Sequence, residues 1–142
     1  LRVVFRQFPV KDAPGETISR DAALAAMAAD RQGKYLEFHH AIFSSPTLLT
    51  QERLMEIAKS VGLDTDQLKT DMADPMLETG LNQNMALAQA LRLTGTPTYI
   101  VGKHVIRGLA PYDSLKTLVA QQHDLDKSAR VMEGRSYYLP SI

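Results

Sequence analysis

Apolar positions recur along the chain in two rhythms, and the change from one to the other marks where helices give way to strands. Val3, Val4 and Phe5 stand in succession near the start. Such a run suits a strand covered on both faces over residues 1–8, ended by Pro9. Asp12, Pro14 and Gly15 then mark a loop. From there the spacing is helical. Thr17 or Ser19 is placed to cap a helix reaching Ala29, in which Ile18, Ala22, Ala25, Ala26 and Ala29 share a face whose small side chains permit close packing. Gly33 interrupts it. Tyr35, Phe38, His39, Ile42 and Phe43 give the next helix its buried stripe, and Ser44, Ser45 and Pro46 close it.

Thr50 caps a helix carrying Leu54, Ile57, Ala58 and Val61, which Gly62 stops. Asp64, followed three residues later by Gln67, has the form of a capping box for a short helix with Leu68 and Met72, ended by Asp74 and Pro75. The longest helix is expected over residues 76–93, with Leu77, Leu81, Ala88 and Leu91 on one side. Asn84 lies inside that stripe; if buried it needs a hydrogen-bond partner, and a neighbouring backbone carbonyl is the simplest one. The rhythm then changes. Gly95 loosens the backbone, while Pro97 fixes its own φ and offers no N–H to a sheet, so it belongs at a strand's first residue or edge. Thr98, Tyr99, Ile100 and Val101 read as a strand, Gly102 as a tight turn into a second strand through Ile106, and residues 112–122 as a closing helix. Residues 125–142 carry weak periodicity and form either a terminal helix with a tail or an arm that packs on a neighbour. Tyr137 and Tyr138 read as part of that tail.

The order of a helix, a Thr-Pro strand start, a hairpin and a closing helix resembles the C-terminal half of a thioredoxin fold. Four stretches sharpen the resemblance: Arg2-Val3-Val4-Phe5-Arg6-Gln7-Phe8-Pro9, the alanine-rich stretch from Ser19, Gln32-Gly33-Lys34-Tyr35-Leu36-Glu37-Phe38-His39, and Gly95-Thr96-Pro97-Thr98-Tyr99-Ile100-Val101-Gly102. Their order and spacing resemble those of the DsbA-like thiol-disulfide oxidoreductases over residues 1–122. The resemblance implies an α/β, thioredoxin-like fold with an inserted helical domain. Residues 1–17 and 81–124 would form the thioredoxin-like part, 18–80 the helical insertion and 125–142 a C-terminal tail or arm.

DsbA-like proteins place a Cys-x-x-Cys at the start of a helix after their first strand, ahead of the segment matching Arg2 to Pro9. This chain has no cysteine, so that N-terminal strand–helix unit is expected to lie before Leu1. In the family the missing strand lies between residues 1–8 and 98–101, so its place is expected to be filled by another chain, by the C-terminal arm or by residues before Leu1. The resemblance also implies a cis bond before Pro97 and a backbone at Thr96 that pairs with an extended substrate peptide as a short added strand. Thr96 and Pro97 are therefore the expected substrate-binding residues, and no catalytic residue is expected in this chain.

Composition narrows the picture in other ways. At 142 residues the chain suffices for one domain with a sizeable core and is short for two. Sixteen basic residues balance sixteen acidic ones, which removes bulk attraction to nucleic acid or anionic membrane. The absence of cysteine excludes disulfides and thiolate metal sites within these residues. No run approaches the length of a membrane span, and any export signal is expected upstream.

Other chemistry is thin. Glu37 and His40 make a Glu-x-x-His, the half-motif of carboxylate di-metal sites, but no second copy accompanies it, so they read as ordinary helix residues. His39 and His40 point about 100° apart on a helix and chelate one ion poorly. His104 and His123 read as surface residues, and Ser44, Ser45 and Ser114 lack any Gly-x-Ser-x-Gly setting. Neither a metal nor a cofactor is expected.

What the resemblance implies is disulfide exchange on protein or peptide substrates bearing thiols or disulfides, in a periplasmic or other extracytoplasmic compartment, by a protein with room for a homodimer. This chain alone should be inactive. Two alternatives share the fold: a redox-inactive peptide-binding or chaperone module, and a glutathione-dependent isomerase or transferase with serine in place of the attacking cysteine. The residues preceding Leu1 distinguish the three.

Overall fold

In the computed structural model, which describes residues 1–132 with side chains through Ser128, the elements run in the order α1 (Ile18–Arg31), α2 (Tyr35–Phe43), α3 (Gln51–Ser60), α4 (Thr65–Met72), α5 (Pro75–Ala90), β1 (Thr98–Val101), β2 (His104–Arg107) and α6 (Tyr112–Met132). They group into two units, Leu1–Thr94 and a second that starts at Gly95. Helix α5 crosses residue 81 without a break.

The first unit is built around α1, which packs against α2, α3, α4 and α5. Sequence spacing assigned it one apolar face. Burial extends further round the helix, to Ala23, Leu24, Ala25, Ala26, Ala28 and Ala29, because alanine lets several helices approach one axis. Phe38 of α2, Leu54 of α3, Leu68 of α4 and Leu81 of α5 are the largest fully buried side chains, each stabilising the unit by about 1.5–3 kcal/mol on transfer from water. Phe43 departs from the expected α2 stripe. It is 78% exposed, lying two full turns along the helix from Tyr35, at its last residue.

The starts of α3, α4 and α5 follow local chemistry. Thr50 accepts from the Arg53 N–H at 3.1 Å, and Asp74 accepts from the Met76 N–H at 2.8 Å. Pro75 opens α5 at its first position, where a missing N–H costs nothing. Thr17 sits at the head of α1 but makes no side-chain cap; its hydroxyl donates to Asp21 instead. Asp12 supplies the acceptors, taking the N–H groups of Ser19 at 2.6 Å and Arg20 at 3.0 Å. Asp64 accepts from Asp66 and Gln67 as expected, both at 3.0 Å. The return arm of the capping box is absent, because Gln67 turns to Asp71 and the Asp64 N–H goes to Gln32.

Residues 1–8 are not a strand. Val3, Val4 and Phe5 are each more than half exposed, and no strand lies beside them among the described residues. A strand exists only through its ladder, and the run of apolar residues cannot supply one by itself. Among the described residues β1 pairs with β2 alone.

In the second unit β1 and β2 pair antiparallel, from Thr98↔Arg107 to Val101↔His104, across a two-residue turn. Gly102 takes a φ of +57° at the first turn position, which glycine supplies without strain. Helix α6 packs against β1, and its Gln122 side chain presses on Gly102. At 21 residues α6 is the longest helix, exceeding the 16 of α5. It runs through the polar stretch Gln121–Asp124 where a stop was expected, because no Gly or Pro interrupts it there. The tyrosine pair 137–138 lies outside the described residues. No helix among the described residues is long and apolar enough to cross a membrane.

Candidate functional site

Residues 95–98 form a small loop whose geometry is set by hydrogen bonds on both sides of Pro97. The Thr98 hydroxyl donates to the Gly95 carbonyl at 2.8 Å. The Gly108 N–H, beyond β2, donates to the Pro97 carbonyl at 2.8 Å, so the hairpin holds the proline from behind. The Thr96–Pro97 peptide bond is cis. Thr96 and Pro97 are both exposed.

The consequence is a division of labour between neighbouring backbone groups. Pro97 has no N–H, and its carbonyl is occupied by Gly108. Thr96 keeps both an N–H and a C=O without a partner among the described residues. One donor and one acceptor on a single exposed residue, at the head of a strand, are what an extended peptide needs for one ladder step.

The remaining residues singled out by sequence are dispersed. Glu37 and His40 are exposed on α2, His104 is exposed on β2, and His123 stands 3.9 Å from Asp124 on α6. Among the described residues no three or more His, Asp or Glu side chains gather as a metal site would need. Ser44 and Ser114 are exposed, while Ser45 accepts from the Arg53 guanidinium at 3.3 Å. Asn84 is half-buried and its partner is not a backbone carbonyl: its side-chain oxygen accepts from Arg6 at 2.9 Å. A groove of about 500 Å³ lies near that contact, bounded by Phe8, Asn82, Met85, Ala86, Gln89 and Leu93.

A feature that single-residue reasoning missed is an aromatic ladder on α2. Tyr35, His39 and Phe43 follow at every fourth residue, with Tyr35 stacked on His39 at 5.6 Å and His39 against Phe43 at 4.7 Å. The spacing was visible, but nothing in it said that Phe5, thirty residues earlier, would join Tyr35 at 5.4 Å.

A helical unit followed by a proline-led hairpin and a closing helix defines a helix-rich, thioredoxin-like α/β protein. The model of the DSBA-like thioredoxin domain matches residues 5–120, and the chain belongs to that family of thiol-disulfide oxidoreductases. Among solved structures it is similar to a thioredoxin-like oxidoreductase from Silicibacter pomeroyi, with 35% identity and a TM-score of 0.76 over 84% of this chain and 66% of that one. It is similar to the thiol-disulfide exchange protein alpha-DsbA2 from Wolbachia pipientis, with 28% identity and a TM-score of 0.75 over 83% of this chain and 63% of that one. Among curated proteins it is similar to the Na(+)/H(+) antiporter NhaA 3 of Salinispora tropica, 29% identical over 92% of this chain but only 19% of the antiporter. The chain thus spans about a fifth of the curated relatives it matches and under two thirds of the solved chains. The family's reactive thiols are not among its residues, since it contains no cysteine.

Proposed function

We propose that these residues are the substrate-holding part of a protein thiol-disulfide oxidoreductase, with the reactive cysteines supplied from outside the 142 residues. The observation that carries the reading is Thr96, whose N–H and C=O have no partner among the described residues and sit beside a Pro97 fixed by the hairpin. An extended substrate adds itself as a short strand at Thr96, which brings a substrate sulfur to a fixed distance from the enzyme's sulfurs. The substrate thiolate attacks the enzyme disulfide, one enzyme thiolate leaves, and a second substrate thiolate resolves the mixed disulfide. The substrate is oxidised to a disulfide and the enzyme reduced to a dithiol. The hold at Thr96 is sequence-tolerant because it uses only main-chain groups.

The proposal extends to compartment and layout. Disulfide exchange of this kind belongs in an oxidising, extracytoplasmic space. Residues 1–17 and 81–124 serve as the thioredoxin-like part and 18–80 as the helical insertion. Cation transport is not carried over from the antiporters, because the match leaves four-fifths of them untouched.

One observation favours a second reading, a redox-inactive peptide-binding module: the chain has no cysteine at all. Both readings require peptide binding at the same loop. Titrating the isotopically labelled protein with an extended, cysteine-free peptide is expected to shift the amide signals of Gly95, Thr96 and Thr98. If those signals stay still while others move, the site is misplaced. If the protein joined to its cysteine-bearing segment oxidises a reduced model protein and Pro97→Ala slows it, the first reading holds. If no such segment exists in the gene, the second replaces it.

A further inference from the structure

The hairpin that fixes Pro97 also sets a charge beside it. Arg107 of β2 stands directly across from Thr98 of β1, and residues so paired project from the same face, with Cβ atoms about 4.5–5.5 Å apart. Thr98 shows which face that is, because its hydroxyl reaches back to the Gly95 carbonyl at 2.8 Å. Arg107 therefore projects on the side over which residues 95–98 fold. Thr96 lies two residues from Thr98, a span of at most about 7 Å and within reach of an arginine side chain. The residue after Arg107 is tied to the same loop, since the Gly108 N–H donates to the Pro97 carbonyl at 2.8 Å.

No acid within the hairpin answers that charge. From Gly95 to Tyr112 there is no Asp or Glu, while Lys103, His104 and Arg107 are basic. Asp113, the next acid along the chain, opens α6, where the helix N-terminus favours a carboxylate. Lys103 and His104 stand at the far end of the hairpin, and His104, across from Val101, projects from the other face. Arg107 is exposed, and among the described residues it enters no ion pair and no side-chain hydrogen bond. The chain as a whole balances its acidic and basic residues, so the excess of positive charge belongs to this hairpin.

We propose that Arg107 is a specificity-determining residue: the extended peptide held at Thr96 carries Asp or Glu within two residues of the one paired with Thr96. The peptide's main chain takes the N–H and C=O of Thr96, and its carboxylate takes the Arg107 guanidinium, whose planar fork matches the two oxygens. This deepens the peptide-holding reading and rests on it, with main-chain pairing giving the hold and Arg107 the preference. A substrate lysine at the same place meets a like charge and is disfavoured. Both groups stay in water, so the preference is modest and salt-sensitive. An exposed pair of opposite charges is worth about 1.4- to 5-fold in affinity.

The test is the binding of three cysteine-free peptides of equal length to the complete gene product, measured by fluorescence anisotropy at about 0.01 M and about 1 M salt. The peptides differ only at two central positions, which are both Asp, both Asn or both Lys. At low salt the Asp peptide is expected to bind about threefold tighter than the Asn peptide and about tenfold tighter than the Lys peptide, and at high salt the three should converge. Arg107→Gln should bring the Asp-to-Asn ratio below about twofold, and Arg107→Lys, which keeps the charge, should retain the preference. Equal binding of the three peptides at low salt, or a ratio that Arg107→Gln leaves unchanged, overturns this inference while the peptide-holding reading stands. Failure of all three to bind overturns that reading, and this inference with it.

Discussion

Gln32 and Asp64, at the end of one helix and the start of another, exchange two hydrogen bonds through one side chain. The Gln32 amide nitrogen donates to the Asp64 carbonyl at 3.1 Å, and the Asp64 N–H donates to the Gln32 oxygen at 2.9 Å. The contact bridges α1 and α4 and performs the task that Gln67 would have performed in a capping box.

Gln32→Ala should therefore destabilise the first unit by removing both bonds. Each partly exposed hydrogen bond contributes about 0.5–1.5 kcal/mol, so a loss of about 1–2 kcal/mol is expected. Urea unfolding followed by helix signal measures it, and an unchanged midpoint would show that water replaces Gln32 without loss.

Arg92 is the one non-glycine residue with positive φ among those described, at +52°. It follows the last turn of α5, where its own N–H reaches Gln89 at 3.0 Å and the Leu93 N–H reaches Ala88 at 2.9 Å, the crossed pair of bonds that ends a helix in a left-handed residue. Arginine is strained there and glycine is not. Arg92→Gly should stabilise the protein by about 0.5–1 kcal/mol, and Arg92→Val should do the reverse. Thermal melts of the two variants must move in opposite directions.

The reach of sequence reading depended on how far each interaction lay along the chain. Thr50 and Asp64 cap their helices through N–H groups two or three residues away, and both were legible; Asp74 was read as the end of α4 and not as the cap of α5. Asp12 acts seven residues ahead of Ser19 and Gln32 acts across thirty-two, so no local pattern revealed either. The hairpin after Pro97 was legible because Gly102 and the β-branched run sit beside each other. Residues 1–8 misled because Val3, Val4 and Phe5 report a preference for pairing, while pairing itself requires a neighbour. At the candidate site the tie from the Gly108 N–H to the Pro97 carbonyl spans eleven residues, and no local pattern revealed it.

Gly102 has two reasons to be glycine, and they can be separated. A Cβ there would collide with the Gln122 side chain, and the φ of +57° strains any other residue. Gly102→Ala should cost about 1–2 kcal/mol. Adding Gln122→Ala should restore the steric share and leave about 1 kcal/mol from the backbone. Full recovery in the double variant would mean that the turn tolerates alanine.

Asp12 makes the start of α1 sensitive to acid. Burial pushes its carboxyl upward, but the N–H groups of Ser19 and Arg20, helped by the Ser19 hydroxyl and the Arg20 charge, outweigh burial and hold it below the usual 3.8. Asp74 is held low as well, chiefly by the Met76 N–H and then by Arg31. A carboxyl depressed by folding contributes stability above its unfolded value and loses it as the pH falls through the folded one. Asp12→Asn should accordingly melt several degrees below the native protein at pH 6, where the native carboxylate is charged. Toward pH 2, as the pH falls through that lowered value, the gap between the two should narrow. A gap of equal size at both pH values would mean that Asp12 holds Ser19 and Arg20 by shape and not by charge.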